Sequence, residues 1–155
     1  MENDFRIVIR APINSSLAWD AITKQLSSWW GGEISGNYAG LNDEFTIRFG
    51  KTSKTFRVTG FEAGKLITWT VLKAYIDADR LKEEERSEWE GQELHWSFDE
   101  QDGQTSVQLL QVGLRPGIAC YELCSNAWTF FIKESLYDFL TKGTGKPYAL
   151  KPEKV

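Results

Sequence analysis

The stretch Ala119–Thr141, ACYELCSNAWTFFIKESLYDFLT, determines the fold class because it carries the clearest helical pattern in the chain. Its mainly apolar stripe returns at every third or fourth position, as on one face of a helix; it comprises Tyr121, Cys124, Trp128, Phe131, Ser135, Leu136, Phe139 and Leu140. Such a helix is about 34 Å long at roughly 1.5 Å per residue. Gly143 is a suitable C-terminal stop, and Pro147 forbids continuation. We therefore predict one long helix near the end of the sequence.

Upstream of this helix, the chain alternates between apolar and polar residues in the way that strands with one buried face do. The alternating stretches are 5–10, 45–49, 55–59, 67–71, 94–99 and 107–112. Gln101–Asp102–Gly103 is typical of a hairpin turn between the last two. A sheet with one apolar and one polar face is antiparallel and is covered on one side only.

A second helical region follows the first strand. Asn14, Ser15 and Ser16 offer an N-cap, and apolar residues then recur at helical spacing up to Gly31–Gly32. Thr23 and the Ser27–Ser28 pair are poor helix-interior residues, so we expect a broken helix or two short ones.

These elements predict an α+β fold, a curved antiparallel sheet of about six strands with the long helix across its concave face. The length of 155 residues fits one domain, residues 1–155. Only the final helix is long enough to cover the sheet. Because a straight helix cannot fill a concave trough along its whole length, we expect a cavity between the two.

The composition excludes several classes of protein. The formal net charge of −4 argues against general nucleic-acid binding, which needs a basic surface. No apolar run approaches the roughly 20 residues of a membrane span, and the start of the chain does not resemble a secretory signal. Cys120 and Cys124, four residues apart on a helix, are poorly placed for a disulfide and are expected to be free thiols in the cytoplasm.

Few residues suggest catalysis or metal binding, and we predict no catalytic residue, no metal site and no cofactor. His95, the only histidine, is out of phase with Leu94 and Trp96 and should face water. Cys120 and Cys124 lack the usual spacing of zinc ligands. The carboxylates of the charged stretch 77–90 alternate with basic residues and are typical of a solvated surface.

The aromatic content is the strongest remaining signal, at 14% with seven Trp and nine Phe. Such rings either fill the core or wall a pocket, and both roles remain open for Trp69 and Trp128. Gln111, on the inward face of its strand, is the best candidate for a buried polar group that could hydrogen-bond a ligand or a water molecule. The predicted cavity residues are Trp30, Phe49, Phe56, Trp69, Trp96, Gln111, Tyr121, Cys124, Trp128 and Phe131.

Several motifs along the whole chain, in collinear order, resemble one family. They are Trp29–Trp30–Gly31, Leu66–Ile67–Thr68–Trp69, Glu88–Trp89–Glu90–Gly91, Cys124–Ser125–Asn126–Ala127–Trp128 and Thr141–Lys142–Gly143–Thr144–Gly145–Lys146–Pro147. The chain is similar to the bacterial branch of the family of activators of the 90-kDa heat-shock-protein (Hsp) ATPase. That family belongs to the helix-grip (SRPBCC) superfamily, with START-type lipid-transfer domains, pollen allergens and polyketide cyclases.

The resemblance implies the helix-grip fold, whose members typically hold apolar small molecules between sheet and helix. Where this branch often has a Thr-His-x-Gly strand end, this chain has Leu110–Gln111–Val112–Gly113, so that histidine has no counterpart here. We predict non-catalytic binding of a small apolar or aromatic molecule. The alternatives are an interaction module that modulates a chaperone ATPase and an enzyme of the cyclase or hydrolase kind.

Overall fold

The computed structural model describes residues 3–148 of the protein. Its main element is an antiparallel sheet of seven strands in the order β1-β7-β6-β5-β4-β3-β2. The strands are β1 (Phe5–Ala11), β2 (Glu33–Gly36), β3 (Glu44–Phe49), β4 (Thr52–Glu62), β5 (Leu66–Tyr75), β6 (Glu93–Gln101) and β7 (Gln104–Val112). The α+β class is confirmed, with one strand more than the sequence predicted.

The additional strand is β2, which lies at one edge of the sheet. It contains one large apolar side chain, Ile34, so no alternation marks it in the sequence. Ile34 pairs with Ile47 of β3. Tertiary pairing, rather than local pattern, therefore makes this segment a strand.

Two short helices, α1 (Ser15–Thr23) and α2 (Leu26–Trp29), separate β1 from β2. The side chain of Asn14 caps α1, since its Oδ1 accepts a hydrogen bond from the backbone N–H of Leu17 at 3.0 Å. Both the cap and the predicted break near Thr23 are confirmed.

The pairing of β4 with β5 contains two register shifts, which are the places where this hairpin bends. One lies between Thr55 and Phe56, and the other lies between Val58 and Gly60. An extra residue on one strand increases the local twist and bends the ladder, so these shifts help the sheet to curve around the helix.

The final helix has three consecutive parts, α3 (Tyr121–Phe130), a π-helical segment (Phe131–Leu136) and α4 (Tyr137–Lys142), here called together the C-terminal helix. It confirms the predicted 119–141 helix to within two residues at either end. Gly143 ends it in the left-handed conformation, with φ 81°. None of the helices between residues 3 and 148 is long and apolar enough to cross a membrane. The buried side chains of the C-terminal helix are Cys124, Trp128, Ile132, Ser135, Leu136 and Leu140.

Candidate functional site

Aromatic rings occupy much of the space between the sheet and the C-terminal helix. The ring centroid of Trp30 lies 4.9 Å from that of Trp128 and 6.0 Å from that of Trp69. The Trp69 centroid lies 5.5 Å from Trp96 and 5.2 Å from Phe56. All five side chains are buried. Aromatic pairs contribute about 0.5–1.5 kcal/mol each beyond area burial, so this cluster forms a rigid wall.

The buried amide of Gln111 connects the sheet to the helix. Its Oε1 accepts a hydrogen bond from the Trp128 indole N–H at 2.8 Å, and its Nε2 donates to Gln92 Oε1 at 2.7 Å. Gln111 is fully buried, and an unpaired amide there would cost about 1–3 kcal/mol. The amide therefore fixes the position of the Trp128 ring against β7.

A cavity of about 240 Å³ lies beside this cluster, between the sheet and the C-terminal helix. Its walls come from the C-cap residue of α2, β3, β4, the segment after β5, the C-terminal helix and Tyr148. The lining residues are Trp30, Phe49, Thr52, Lys54, Ile76, Asp77, Ala78, Trp89, Leu123, Cys124, Ala127, Trp128, Phe131 and Tyr148. The lining is therefore mainly apolar, with few polar groups.

Five of the residues proposed from the sequence line this cavity, namely Trp30, Phe49, Cys124, Trp128 and Phe131. The other five do not line it. Phe56, Trp69, Trp96 and Gln111 are fully buried in the adjoining core, whereas Tyr121 is half-buried at the start of α3. The aromatic residues proposed from the sequence thus divide into two groups, one in the packed core and one in the wall of the cavity.

Sequence reasoning missed Lys54 and Trp89, which face each other across the cavity wall. The Lys54 ammonium nitrogen lies 3.9 Å from the centroid of the Trp89 ring, a cation–π contact. The sequence did indicate an inward position for Lys54, because alternate residues of a strand share one face and Lys54 alternates with Phe56 and Val58 on β4. There was less indication in the sequence that Trp89 is buried, namely that it is the only aromatic residue in the charged stretch 77–90.

That charged stretch is a folded segment and not simply a solvated surface. Leu81 and Trp89 are buried. Glu88 accepts hydrogen bonds from the backbone N–H groups of Ala119 at 3.1 Å and Cys120 at 3.0 Å. A carboxylate beside the first turn of the C-terminal helix also complements the helix dipole. Glu88 thus holds the start of this helix against the segment that carries Trp89.

The polar groups at the cavity have perturbed proton affinities. Burial lowers the pKa of Lys54, and the nearby thiols of Cys124 and Cys120 offset only part of this effect. The pKa of Cys124 is lowered because the Cys120 thiol donates a hydrogen bond to it and Lys54 lies near, although burial acts in the opposite direction. The hydrogen bond to Cys124 raises the pKa of Cys120. The two thiols, both free as predicted, are therefore coupled, and the proton affinity of each depends on the other.

The chain after the C-terminal helix returns to the cavity at Tyr148. Tyr148 N–H donates to Trp30 O at 3.0 Å, and Gly32 N–H donates to Tyr148 O at 3.0 Å. The Tyr148 ring meets Phe49 edge-on, with the centroids 5.0 Å apart. This contact closes one side of the cavity with a residue far along the chain from the strands that form its floor.

His95 lies on the opposite face of the sheet from the cavity. Its Nδ1 lies 3.0 Å from Thr68 Oγ1, and its Nε2 lies 3.1 Å from Glu93 Oε1. The side chain is 31% exposed. The predicted outward register of His95 is therefore confirmed, and its ring lies away from Cys120 and Cys124.

We expect His95→Ala to change little. The part-buried contact of His95 with Thr68 and its exposed contact with Glu93 together contribute at most about 1–2 kcal/mol. Urea unfolding should show a loss within that range, and any ligand-induced rise in melting temperature should equal that of the wild type. A fully folded His95→Ala protein that had lost its ligand response would contradict this placement.

Comparison with known proteins shows similarity at the level of the fold. No family model matches the sequence, and no curated protein matches it. The solved structure of an Aha1 dimer from Colwellia psychrerythraea is 24% identical, with a TM-score of 0.73 over 92% of this chain and 98% of that chain. An Hsp90 activator from Plasmodium falciparum is 16% identical, with a TM-score of 0.61 over 88% of this chain and 93% of that chain.

A third similar structure, DynU16 from the dynemicin biosynthetic locus, has a TM-score of 0.69 at 16% identity. It covers 94% of this chain but 50% of that chain. At these identities the comparisons establish the fold. The helix-grip fold implied by the sequence resemblance is thus confirmed, and the similar structures include activator proteins of the kind that the resemblance named.

Proposed function

We propose that the protein binds a small, largely apolar molecule, without catalysis, in the cavity between the sheet and the C-terminal helix. The observation that carries this proposal is the cavity of about 240 Å³ walled by aromatic rings. For comparison, an engineered apolar cavity of about 150 Å³ holds benzene. The volume thus suits a molecule with one or two rings, or a short aliphatic chain.

The lining favours binding over reaction. Asp77 is the only carboxylate among the lining residues, and it is exposed, with its Oδ1 3.3 Å from Arg86. A carboxylate that serves as a general acid lies in an apolar setting, whereas Asp77 is exposed and paired with Arg86. His95 lies on the other side of the sheet. Burial of apolar surface, at about 25 cal/mol per Å², is therefore the main source of affinity in the proposed site.

A thermal-shift screen of aromatic acids, aromatic amides, fatty acids and flavonoid-like compounds tests the proposal. A compound present at 100 times its dissociation constant stabilises the fold by about 2.7 kcal/mol. For a chain of this length, that corresponds to a rise in melting temperature of about 5–10 °C. We expect at least one class of compound to produce such a rise.

A matched pair of variants links that response to the cavity. Ala127 and its neighbour Asn126 are both exposed, but only Ala127 lines the cavity. Ala127→Phe should fill the space and abolish the rise, whereas Asn126→Phe adds the same ring elsewhere and should retain it. If no compound raises the melting temperature of the wild type, or if both variants respond equally, the proposed binding site is wrong.

A second candidate function is interaction with an Hsp90-type chaperone. It is supported by the similarity to the Plasmodium falciparum Hsp90 activator and to Aha1. The two free thiols fit the reducing cytoplasm in which such a partner would be met. An ATPase assay of a purified Hsp90 with and without this protein tests the idea, and an unchanged turnover rate would contradict it.

A further inference from the structure

Lys54 carries a positive charge into a mainly apolar space. On β4 it pairs with Ile47 of β3 and Ala74 of β5, both buried. Directly opposed residues in an antiparallel sheet share one face, so the Lys54 side chain enters the space between sheet and helix. It lines the cavity there, with its ammonium nitrogen 3.9 Å from the Trp89 centroid and 5.9 Å from that of Phe49.

Between residues 3 and 148, no carboxylate oxygen lies within 4.0 Å of this ammonium. The carboxylate of Asp77 lines the same cavity, but its Oδ1 lies 3.3 Å from Arg86. From the helix, the groups that interact electrostatically with Lys54 are the thiols of Cys120 and Cys124. Lys54 is half-buried, so its charge is partly removed from water, and two aromatic faces and two thiols replace a carboxylate counter-ion only in part.

Burial accordingly lowers the pKa of Lys54, because mainly apolar surroundings favour the neutral amine over the ammonium form. An anion placed in the cavity would reverse that effect, since an opposite charge within a few ångströms favours the charged form. Thr52, two residues earlier on the same face of β4, also lines the cavity. Its Oγ1 accepts a hydrogen bond from the Asp77 N–H at 2.9 Å, so its hydroxyl proton is a second donor beside Lys54.

We propose, building on the function proposed above, that the cavity selects an organic acid with one carboxylate. The carboxylate pairs with the Lys54 ammonium, and its ring or chain lies between Trp30, Phe49 and Trp128. The aromatic walls supply the burial, and Lys54 supplies the selectivity. A neutral molecule of the same shape leaves the ammonium unpaired, so it binds more weakly.

The test compares naphthalene-2-carboxylate with its neutral isostere naphthalene-2-carboxamide, by calorimetric titration of the full chain at pH 6, below the pKa of about 7 of the Cys124 thiol, so that this thiol is mainly protonated and gives Lys54 no counter-ion. The acid is ionised at this pH. A hydrogen bond to a charged group is usually worth at least a tenfold change in affinity, so we expect the carboxylate to bind at least about ten times more tightly than the amide. Lys54→Met should remove this preference while leaving the affinity for the amide unchanged or higher. The matched control is Lys51→Met, which removes the same charge from the exposed turn before β4 and should retain the preference.

The outcomes separate the two proposals. If the wild type binds acid and amide equally, apolar binding stands and carboxylate selection is overturned. If Lys54→Met and Lys51→Met reduce acid binding equally, the effect is long-range charge and the role of Lys54 is overturned. If neither naphthalene compound nor octanoate and octanamide bind, both proposals fail. The comparison of acid with amide in the wild type needs no variant, so it decides the matter even if Lys54→Met does not fold.

Discussion

Trp128→Ala is expected to lower the free energy of unfolding by about 3–5 kcal/mol, the usual cost of removing a buried aromatic side chain. Trp128 is 2% exposed and contacts Trp30 from the middle of the C-terminal helix. The truncation also leaves Gln111 Oε1 without its donor, an added cost of about 1–3 kcal/mol. Urea unfolding followed by circular dichroism measures the change.

Trp128→Phe is the matched control, because it keeps a ring but removes the indole N–H. We expect it to be less destabilising than the alanine variant, with a loss of about 1–3 kcal/mol from the unpaired amide. If the alanine variant unfolds at nearly the wild-type urea concentration, the helix is not packed on the sheet as described.

Gly31→Ala is expected to destabilise the fold by about 3 kcal/mol. Gly31 has φ +88°, and a Cβ there would overlap the carbonyl oxygen of Tyr148 and lie 2.9 Å from Pro147 Cβ. The left-handed conformation costs an alanine about 1–2 kcal/mol. Displacing Tyr148 also breaks its two backbone hydrogen bonds, to Trp30 and Gly32, each worth about 1 kcal/mol. Thermal and urea unfolding measure the sum.

Gly64→Ala separates these two effects. Gly64 has φ +78°, a similar backbone conformation, but a Cβ there would meet no described atom within 4 Å. The variant should therefore lose only the conformational part, about 1–2 kcal/mol. Equal losses in the two variants would show that the chain around Tyr148 does not pack against Gly31 as the structure has it.

The sheet and the long helix were predictable because their patterns are local and strong. Alternation located six of the seven strands, and Gly143 gave the helix end. The strand β2 was not predictable in this way, since Ile34 alone carries no period. Most core-facing residues of the predicted strands, such as Ile47, Trp69 and Leu109, are buried as expected, whereas Phe5 and Phe49 are half-buried.

The inward face of the C-terminal helix was predicted less well. The residues Cys124, Trp128, Ile132, Leu136 and Leu140 are all buried and follow one another at intervals of four. In a regular α-helix, each residue of such a series lies about 40° further around the helix axis than the one before it. The π-helical segment has more residues per turn, which brings the later residues of the series back to the face that packs on the sheet. Ile132 is therefore buried. Phe131, which was predicted to face inward, is half-buried at the cavity.

The composition of the cavity depended on long-range placement. Trp89 reaches it because the segment after β5 folds back and Glu88 bonds the start of the helix. Nothing in the local sequence indicates that route. The inward orientation of Lys54 could be predicted from the alternation along β4. A charged residue in a strand is, however, ordinarily assigned to the outer face.

The tryptophan cluster is also expected to act as a coupled set of chromophores. Trp29, Trp30 and Trp96 join Trp69, Trp89 and Trp128 in a continuous network, with neighbouring indole centroids 4.9–6.3 Å apart. At such separations we expect excitation energy to pass between rings before a ring emits. Three of the six rings, Trp30, Trp89 and Trp128, line the cavity. A molecule that quenches one of them is therefore expected to reduce the emission of its neighbours as well, and the near-ultraviolet circular dichroism of the cluster should change when Trp128 leaves the sheet with the helix.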